Sequence, residues 1–208
     1  MVMSPPRFIL ASSSVTRLRV LRDAGFNPDV VVSGVSEEAD GLETARAVVV
    51  LAERKGSAVA GGLPGALILA CDTMLDLDGT SLGKPETSAE AIHMWQRLSG
   101  NQGILHTGHC LIDTRTNMRF SRLDSTVVHF GTPSRAEISA YAVSGEALTV
   151  AGAFSIDGRS APFVEGIEGV PSNVLGVSLP VVRHLLNEAG VTITDLWTSP
   201  GPGAFSRS

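Results

Sequence analysis

Two cysteines, two tryptophans and a single tyrosine are all that the 208 residues contain of those types. Cys71 and Cys110 each lie in an apolar run, and neither belongs to a Cys-x-x-Cys pattern. Two buried thiols are therefore expected, not a disulfide framework or a structural zinc site. Such usage suits a reducing compartment. Charged residues are only 18% of the chain against 43% hydrophobic, which excludes a disordered chain and describes a packed globule. Positive charge is in deficit: 16 Lys and Arg against 21 Asp and Glu give a net charge of −5. This argues against a nucleic acid polymer or an anionic membrane as partner. It leaves room for a small anionic ligand held by a few local cations. No apolar run approaches the ~18 residues that span a bilayer, and Met1–Arg7 has no signal-peptide core, so a cytoplasmic protein is expected. One α/β domain over residues 1–197 is expected, with 198–208, rich in Gly, Pro, Ser and Arg, as a flexible tail.

What the chain does have is one informative centre. Ala66 to Cys71 are six apolar residues in succession, as in a central strand covered on both faces, and the run ends at Asp72. Chemistry in open α/β sheets collects beyond such strand ends. Asp78-Gly79 is a strong two-residue hairpin signal. It predicts pairing of Leu77 with Thr80 and Leu75 with Leu82; continued, it pairs Thr73 with Lys84 and brings the lysine beside the acid.

Other segments supply candidate partners. Phe8–Ala11 reads as a first strand, followed by Ser12-Ser13-Ser14 and a helix that places Val15, Leu18 and Leu21 inward and stops at Gly25. The serines fit two compatible readings, helix capping and reception of phosphate oxygens. Arg17 falls in the first helical turn, where the helix dipole disfavours a cation and a bound anion would remove the conflict. Arg19 and Arg22 read as solvent-facing charges. Asp29–Ser33 reads as a second strand that runs into Glu37-Glu38, an acidic pair fit either to hold a metal or to start a helix. The next helix, from about Leu42 to Ala60, carries Lys55 on its apolar face, where it either snorkels or points into an internal anionic site.

Thr87–Glu90 resembles a capping box ahead of a helix whose apolar face is Ala91, Ile92, Trp95 and Leu98. Ile104–Asp113 and Met118–Phe130 read as a long hairpin, with His106 and Cys110 on one strand face and His109 on the other, so the three do not converge on a metal. Thr132-Pro133 is expected to open another helix, with proline at its first position. A glycine-rich region from Gly152 to Gly176 permits close backbone approach or simply turns.

Taken together and in order, these motifs resemble the Maf family, nucleotide pyrophosphatases also described as septum-formation inhibitors. The resemblance is carried by Leu10-Ala11-Ser12-Ser13-Ser14 with Arg17, Glu37, Leu51-Ala52-Glu53-Arg54-Lys55, Cys71-Asp72-Thr73 and Leu82-Gly83-Lys84-Pro85. It continues through Leu98-Ser99-Gly100, His106-Thr107-Gly108, Ala151–Phe154 and Asn173-Val174-Leu175-Gly176. The resemblance implies a long, twisted, mixed β-sheet flanked by helices, with two lobes around a central cleft, a Maf- or inosine-triphosphatase-like α/β fold. It implies hydrolysis of a nucleoside triphosphate between the α and β phosphates, a divalent cation (Mg²⁺ or Mn²⁺), and a homodimer.

The residues then take these expected roles. Asp72 accepts the proton of the attacking water. Glu37 holds metal, with Asp72, or orients that water. Lys55, Lys84 and Arg17 stabilise phosphate charge, and Ser12 and Ser14 hold phosphate oxygens. One branch of the family, acting on dTTP and UTP, has arginine where this chain has Thr16 and glutamine where it has Asp157. A second, acting on 7-methyl-GTP, carries an acid at about the latter place. An ionised Asp157 only accepts hydrogen bonds and suits a base edge rich in donors, so Thr16, Thr73 and Asp157 are the candidates for base selection. Two other classes fit parts of the pattern. A non-catalytic nucleotide-binding regulator of cell division would need the cations but not the acid, and a nucleotidyl transferase would need a second-substrate motif.

Overall fold

The structure, a computed structural model, describes residues 6–36 and 41–198. In chain order the elements are β1 (Arg7–Leu10), α1 (Val15–Asp23), β2 (Asp29–Val30), α2 (Thr44–Ala60), β3 (Ala66–Leu77), β4 (Thr80–Leu82) and α3 (Ser88–Leu98). There follow β5 (Gln102–Asp113), β6 (Met118–Phe130), α4 (Arg135–Val143), β7 (Val164–Glu168), α5 (Pro171–Val174) and α6 (Leu179–Glu188). Among the described residues seven strands form one mixed sheet in the order β2-β1-β3-β5-β6-β7, with β4 also on β3. The β1 strand is parallel to β2 and β3, and the other pairs are antiparallel.

The β3 strand explains the architecture. One edge pairs with β5 from Leu67 to Asp76. The other edge is shared: β1 takes Ala66 to Leu69 and β4 takes Leu75 to Leu77. Among the described strands, residues 70–74 therefore have a ladder partner on the β5 side alone, and the sheet forks there. Side chains alternate across the strand. Ile68 and Ala70 face a core with Ala52 and Val59 of α2. Leu67, Leu69 and Cys71 face α1 and α6 through Leu21, Val182 and Leu185. Beyond the fork, Leu75 and Leu77 face a third core built on Trp95, Phe130, Tyr141 and Phe154. Two cores thus share one sheet face and leave a cleft between them, while α2 covers the opposite face.

Close packing of α2 depends on two glycines. A Cβ at Gly108 would lie 2.2 Å from the Val48 carbonyl oxygen, and one at Gly56 would lie 3.2 Å from Ile112 Cδ1. Gly108 pairs with Asp72 across β3 and β5, so this close approach of helix to sheet lies beside the acid.

Several sequence expectations are corrected. The central strand does not end at Asp72 but runs on to Leu77, because β5 continues to pair with it. The hairpin turn is where expected, with Asp78 at φ 52° and Gly79 at φ 79°, and Leu77–Thr80 and Leu75–Leu82 pair. The β3–β4 ladder stops there, so the expected Thr73–Lys84 pair does not form; on the opposite edge Thr73 pairs with Thr107 of β5. The second strand is only Asp29–Val30, and the following helix starts at Thr44. The helix expected at Thr132-Pro133 begins at Arg135, because Ser134 and Glu137 form the capping box there. The residues expected to form a tail, from Ser199 onward, lie outside the described residues, whereas Thr198 donates its N–H to the Gly25 carbonyl at 3.0 Å.

Cys71 and Cys110 are free and fully buried, in cores on opposite sheet faces. Burial pushes their thiols up to about 12 and about 11. Neither thiol is expected to react with a disulfide reagent at pH 8 in the native protein, and both should react in denaturant; thiol titration in the two states checks this. Substitution Gly108→Ala should lower stability by about 1–3 kcal/mol or more through overpacking, read as a drop in the urea midpoint.

Candidate active site

The cleft has a volume of about 670 Å³ and is lined on one side by Ser13, Ser14, Thr16 and Arg17, and at its floor by Lys55, Asp72 and Thr73. Gly83 and Lys84 form a third side. The remaining wall is mainly apolar, with Leu105, Leu148, Val150, Phe154 and Val174.

The floor is set by alternation along β3. Asp72 is an even position, so it points toward α2, where Lys55 lies on the buried stripe with Leu51, Ala52 and Gly56. Lys55 Nζ donates to Asp72 Oδ1, and the two side chains are 8% and 7% exposed. Lys55 therefore does not snorkel: it points inward and pairs. A buried pair of this kind is held by mutual dependence, since removing one partner strands the other charge at a cost of about 3–5 kcal/mol.

Thr73 is an odd position and faces α1. Arg17 donates from Nε to the Gly176 carbonyl (2.7 Å), from Nη1 to Ser12 Oγ (3.1 Å) and from Nη2 to Thr73 Oγ1 (2.9 Å). The first turn of α1 has no acidic residue. A cation is thus fixed where the helix dipole is positive, by three uncharged acceptors from three parts of the chain. Ser14 caps α1 by accepting from Arg17 N at 3.3 Å, and Ser12 Oγ accepts from Ser14 N at 3.2 Å. Both hydroxyls keep a hydrogen to donate, and the amides of Val15 and Thr16 have no partner within the helix.

Behind Thr73 the hydrogen bonds have a direction. Thr107 Oγ1 donates to the Asn173 carbonyl at 3.2 Å, so in the 3.1 Å contact between the two threonines Thr73 is the donor. The hydroxyl of Thr73 is therefore engaged in both senses, accepting from Arg17 and donating to Thr107. On the far wall, Trp95 Nε1 donates to the Ala153 carbonyl at 2.8 Å, and Gly152 N donates to the Gly83 carbonyl at 2.8 Å. These bonds fix the chain entering Lys84, which is itself exposed at the rim.

The structure brings Ser14, Thr16, Arg17, Lys55, Asp72, Thr73 and Lys84 to one cleft, with Ser12 directly behind Arg17. Glu37 lies outside the described residues. Asp157 is not in the cleft wall. Its carboxylate accepts from the Ser155 hydroxyl and from Arg19, so Arg19 is an ion-pair partner and not simply a solvated charge. Sequence reasoning gave no role to Thr107, Asn173 or Gly176, although all three fall inside motifs it singled out. It also overlooked a compositional signal: the chain has only two lysines, Lys55 and Lys84, and both line the cleft. Among the described residues no group of three or more His, Cys, Asp or Glu is placed to hold a metal ion.

A family model described as Maf-like protein matches residues 7–189. Relatives named nucleoside triphosphate pyrophosphatase include one from Streptomyces avermitilis, 52% identical over 195 residues, covering 92% of this chain and 95% of the relative. One from Streptomyces coelicolor is 52% identical over 194 residues, covering 92% and 94%. One from Gloeothece citriformis is 46% identical over 191 residues, covering 91% and 97%. The chain belongs to the Maf family. A solved structure, that of the Staphylococcus aureus Ham1 protein, matches 60% of this chain and 72% of its own at 12% identity and a TM-score of 0.41, a likeness too slight to argue from.

His109 lies on the same face of β5 as Thr107 and is fully buried. Its Nε2 accepts from Ser178 N at 2.8 Å, so the ring is neutral with its proton on Nδ1. Burial first, then the Arg17 charge, lower it from 6.5 to about 3. Its folded value lies below its unfolded one, so the unfolded chain binds the extra proton as pH falls through 6.5 and stability is lost from there toward pH 3. At pH 4.5 this amounts to on the order of 2–3 kcal/mol. The variant His109→Gln should lose about one proton's worth of pH dependence in urea midpoints measured between pH 7 and pH 4.5.

Proposed function

We propose that this protein is a nucleoside triphosphate pyrophosphatase, hydrolysing the α–β phosphoanhydride to a nucleoside monophosphate and pyrophosphate. The observation that carries the reading is one buried carboxylate, Asp72, in a cleft lined by three cations, Arg17, Lys55 and Lys84. A triphosphate needs several fixed positive groups, since phosphoryl transfer is catalysed mainly by positioning and electrostatics. Hydrolysis needs in addition a group to take a proton from water, and a binding protein does not. The names of the relatives support the same reaction. The cleft volume of about 670 Å³ falls in the range of small-ligand sites. Its apolar wall of Leu105, Leu148, Val150 and Phe154 suits a base.

Asp72 accepts the proton of the attacking water. Lys55 pairs with that carboxylate and adds positive charge at the reacting phosphate. Arg17, with the hydroxyls of Ser12 and Ser14 and the first amides of α1, holds phosphate oxygens, and Lys84 closes over the phosphate chain from the rim. Thr16, at the cleft wall, is the favoured position for base selection. Asp157 would act on it through Arg19 of the same helix, and Thr73 through its hold on Arg17.

The oxygen donors present suit a hard divalent cation. Mg²⁺ or Mn²⁺ takes one or two carboxylates plus substrate phosphates in preference to an all-protein cage. Asp72, with Glu37 as second carboxylate, would hold it, and when bound it would neutralise charge developing on phosphate oxygens. A single domain over residues 1–197, a cytoplasmic location and a homodimer complete the proposal. They are supported, respectively, by three cores on one sheet, by two free thiols, and by resemblance to a family that often dimerises.

Incubation with a panel of nucleoside triphosphates and Mg²⁺ or Mn²⁺ should release pyrophosphate without orthophosphate. Replacement Asp72→Asn should lower kcat by about 10²–10⁴-fold, the range for losing a general base. Orthophosphate alone would contradict cleavage at the α–β bond. Nucleotide binding without turnover, unaffected by Asp72→Asn, would favour a regulator instead.

A further inference from the structure

The segment from Asn173 to Ser178 crosses the sheet face that carries Thr73, Thr107 and His109, and it is fastened at both ends. At its start, the Asn173 carbonyl accepts from Thr107 (3.2 Å), while Asn173 Nδ2 donates to Thr126 Oγ1 (3.0 Å) and to the Leu105 carbonyl (3.3 Å). At its end, the Ser178 amide donates to His109 Nε2 (2.8 Å). Asn173, Ser178, Thr107 and His109 are all fully buried. Between the two fastenings Gly176 adopts φ 89° and presents its carbonyl to Arg17 Nε at 2.7 Å. A Cβ there would lie 3.0 Å from that same nitrogen, so strap and guanidinium are in direct packing contact.

We propose that His109 is a positioning residue for Arg17. By accepting the Ser178 N–H it anchors the strap whose Gly176 carbonyl aims the guanidinium into the cleft. The proposal rests on the reading of Arg17 as a phosphate ligand. Three features of the site carry it. A fully buried histidine is costly unless its ring nitrogens are used; among the described residues Nδ1 has no partner, and the nitrogen that is used, Nε2, serves a backbone amide of the strap and not another side chain. An apolar residue at 109 would leave the buried Ser178 amide without an acceptor, and the strap could then regain a partner only by moving. The guanidinium has a fork of fixed geometry, so a shift of the Gly176 carbonyl rotates the whole group and misaligns Nη1 and Nη2 at the same time.

His109 is not among the residues that line the cleft, so its influence runs through Arg17. Substrate affinity should respond more than the chemical step. The variant His109→Leu should raise KM for the best nucleoside triphosphate about tenfold, the scale of one misaligned charge-assisted hydrogen bond, with kcat nearly unchanged. In His109→Gln the amide oxygen reaches the position of Nε2 and should return KM close to wild type. In His109→Asn the shorter side chain does not reach and should not rescue. The decisive arm is a double-mutant cycle. In an Arg17→Ala background, His109→Leu should leave KM where Arg17→Ala alone puts it.

Equal KM values for the Leu and Gln variants would overturn the proposal. So would an undiminished effect of His109→Leu in the Arg17→Ala background, which would make His109 a general structural residue. If Arg17→Ala itself leaves KM unchanged, the assignment of Arg17 to phosphate fails and the proposal fails with it. The first two results leave that assignment standing. Melting temperatures of all variants separate lost folding from lost alignment, and the Gln–Asn pair reads the same contact if the Leu variant does not fold.

Discussion

Helix α2 can lie on the sheet only because position 108 has no side chain. The Val48 carbonyl occupies the space that a Cβ would need, and this contact sets the distance between helix and sheet next to Asp72. At that distance Lys55 reaches the carboxylate while both remain under a tenth exposed. A wider separation would admit water and loosen the pair; a closer one is sterically barred. The ion pair, the charge at the floor of the cleft and the packing of the whole α2 face follow from this one approach. The desolvation of two opposite charges is offset only if their geometry is good, and a rigid strand facing a rigid helix supplies that geometry.

The cations of the cleft are held by different means. Lys55 is paired with an acid in the interior. Arg17 is held by uncharged oxygens, so its full positive charge is available to a ligand while its orientation is fixed. Lys84 stands at the rim on a backbone that Gly152 and Trp95 hold in place. One cation is paired with the acid, one is fixed in orientation, and one stands exposed at the rim. This suits a substrate whose charge is spread along a chain of phosphates.

Local features of the fold were legible in the sequence. The Asp78-Gly79 turn, the caps at Ser14 and Thr87, and the apolar stripe carrying Lys55 depend on neighbours within a turn or two, and they stand where the sequence predicts. How far the hairpin ladder runs was not legible: on the edge of β3 opposite β5 it ends at Leu75–Leu82, and Thr73 keeps a ladder partner on the β5 edge alone. The start of α4 was misread because Pro133 is a permissible first residue, while Ser134 and Glu137 together make the stronger cap. In the site, charged residues were found by charge, since a buried lysine or a first-turn arginine conflicts with its surroundings in the sequence itself. Thr107, His109, Asn173 and Ser178 carry no such conflict. Their work is done on backbone groups far away in the chain, so only the folded form reveals it. Asp157 was read as a free acceptor because its partner Arg19 lies 138 residues earlier.

The β3–β5 ribbon runs without interruption from one core to the other. A continuous ladder resists sliding of one half past the other, so twisting of the ribbon is the motion it favours. Points near a twist axis turn but do not travel. Asp72 and Thr73 lie about midway along it, whereas Lys84 and the loop from Leu148 to Ala151 lie out on the arms. In such a twist the acid would stay in place while the groups at the two ends of the cleft would travel.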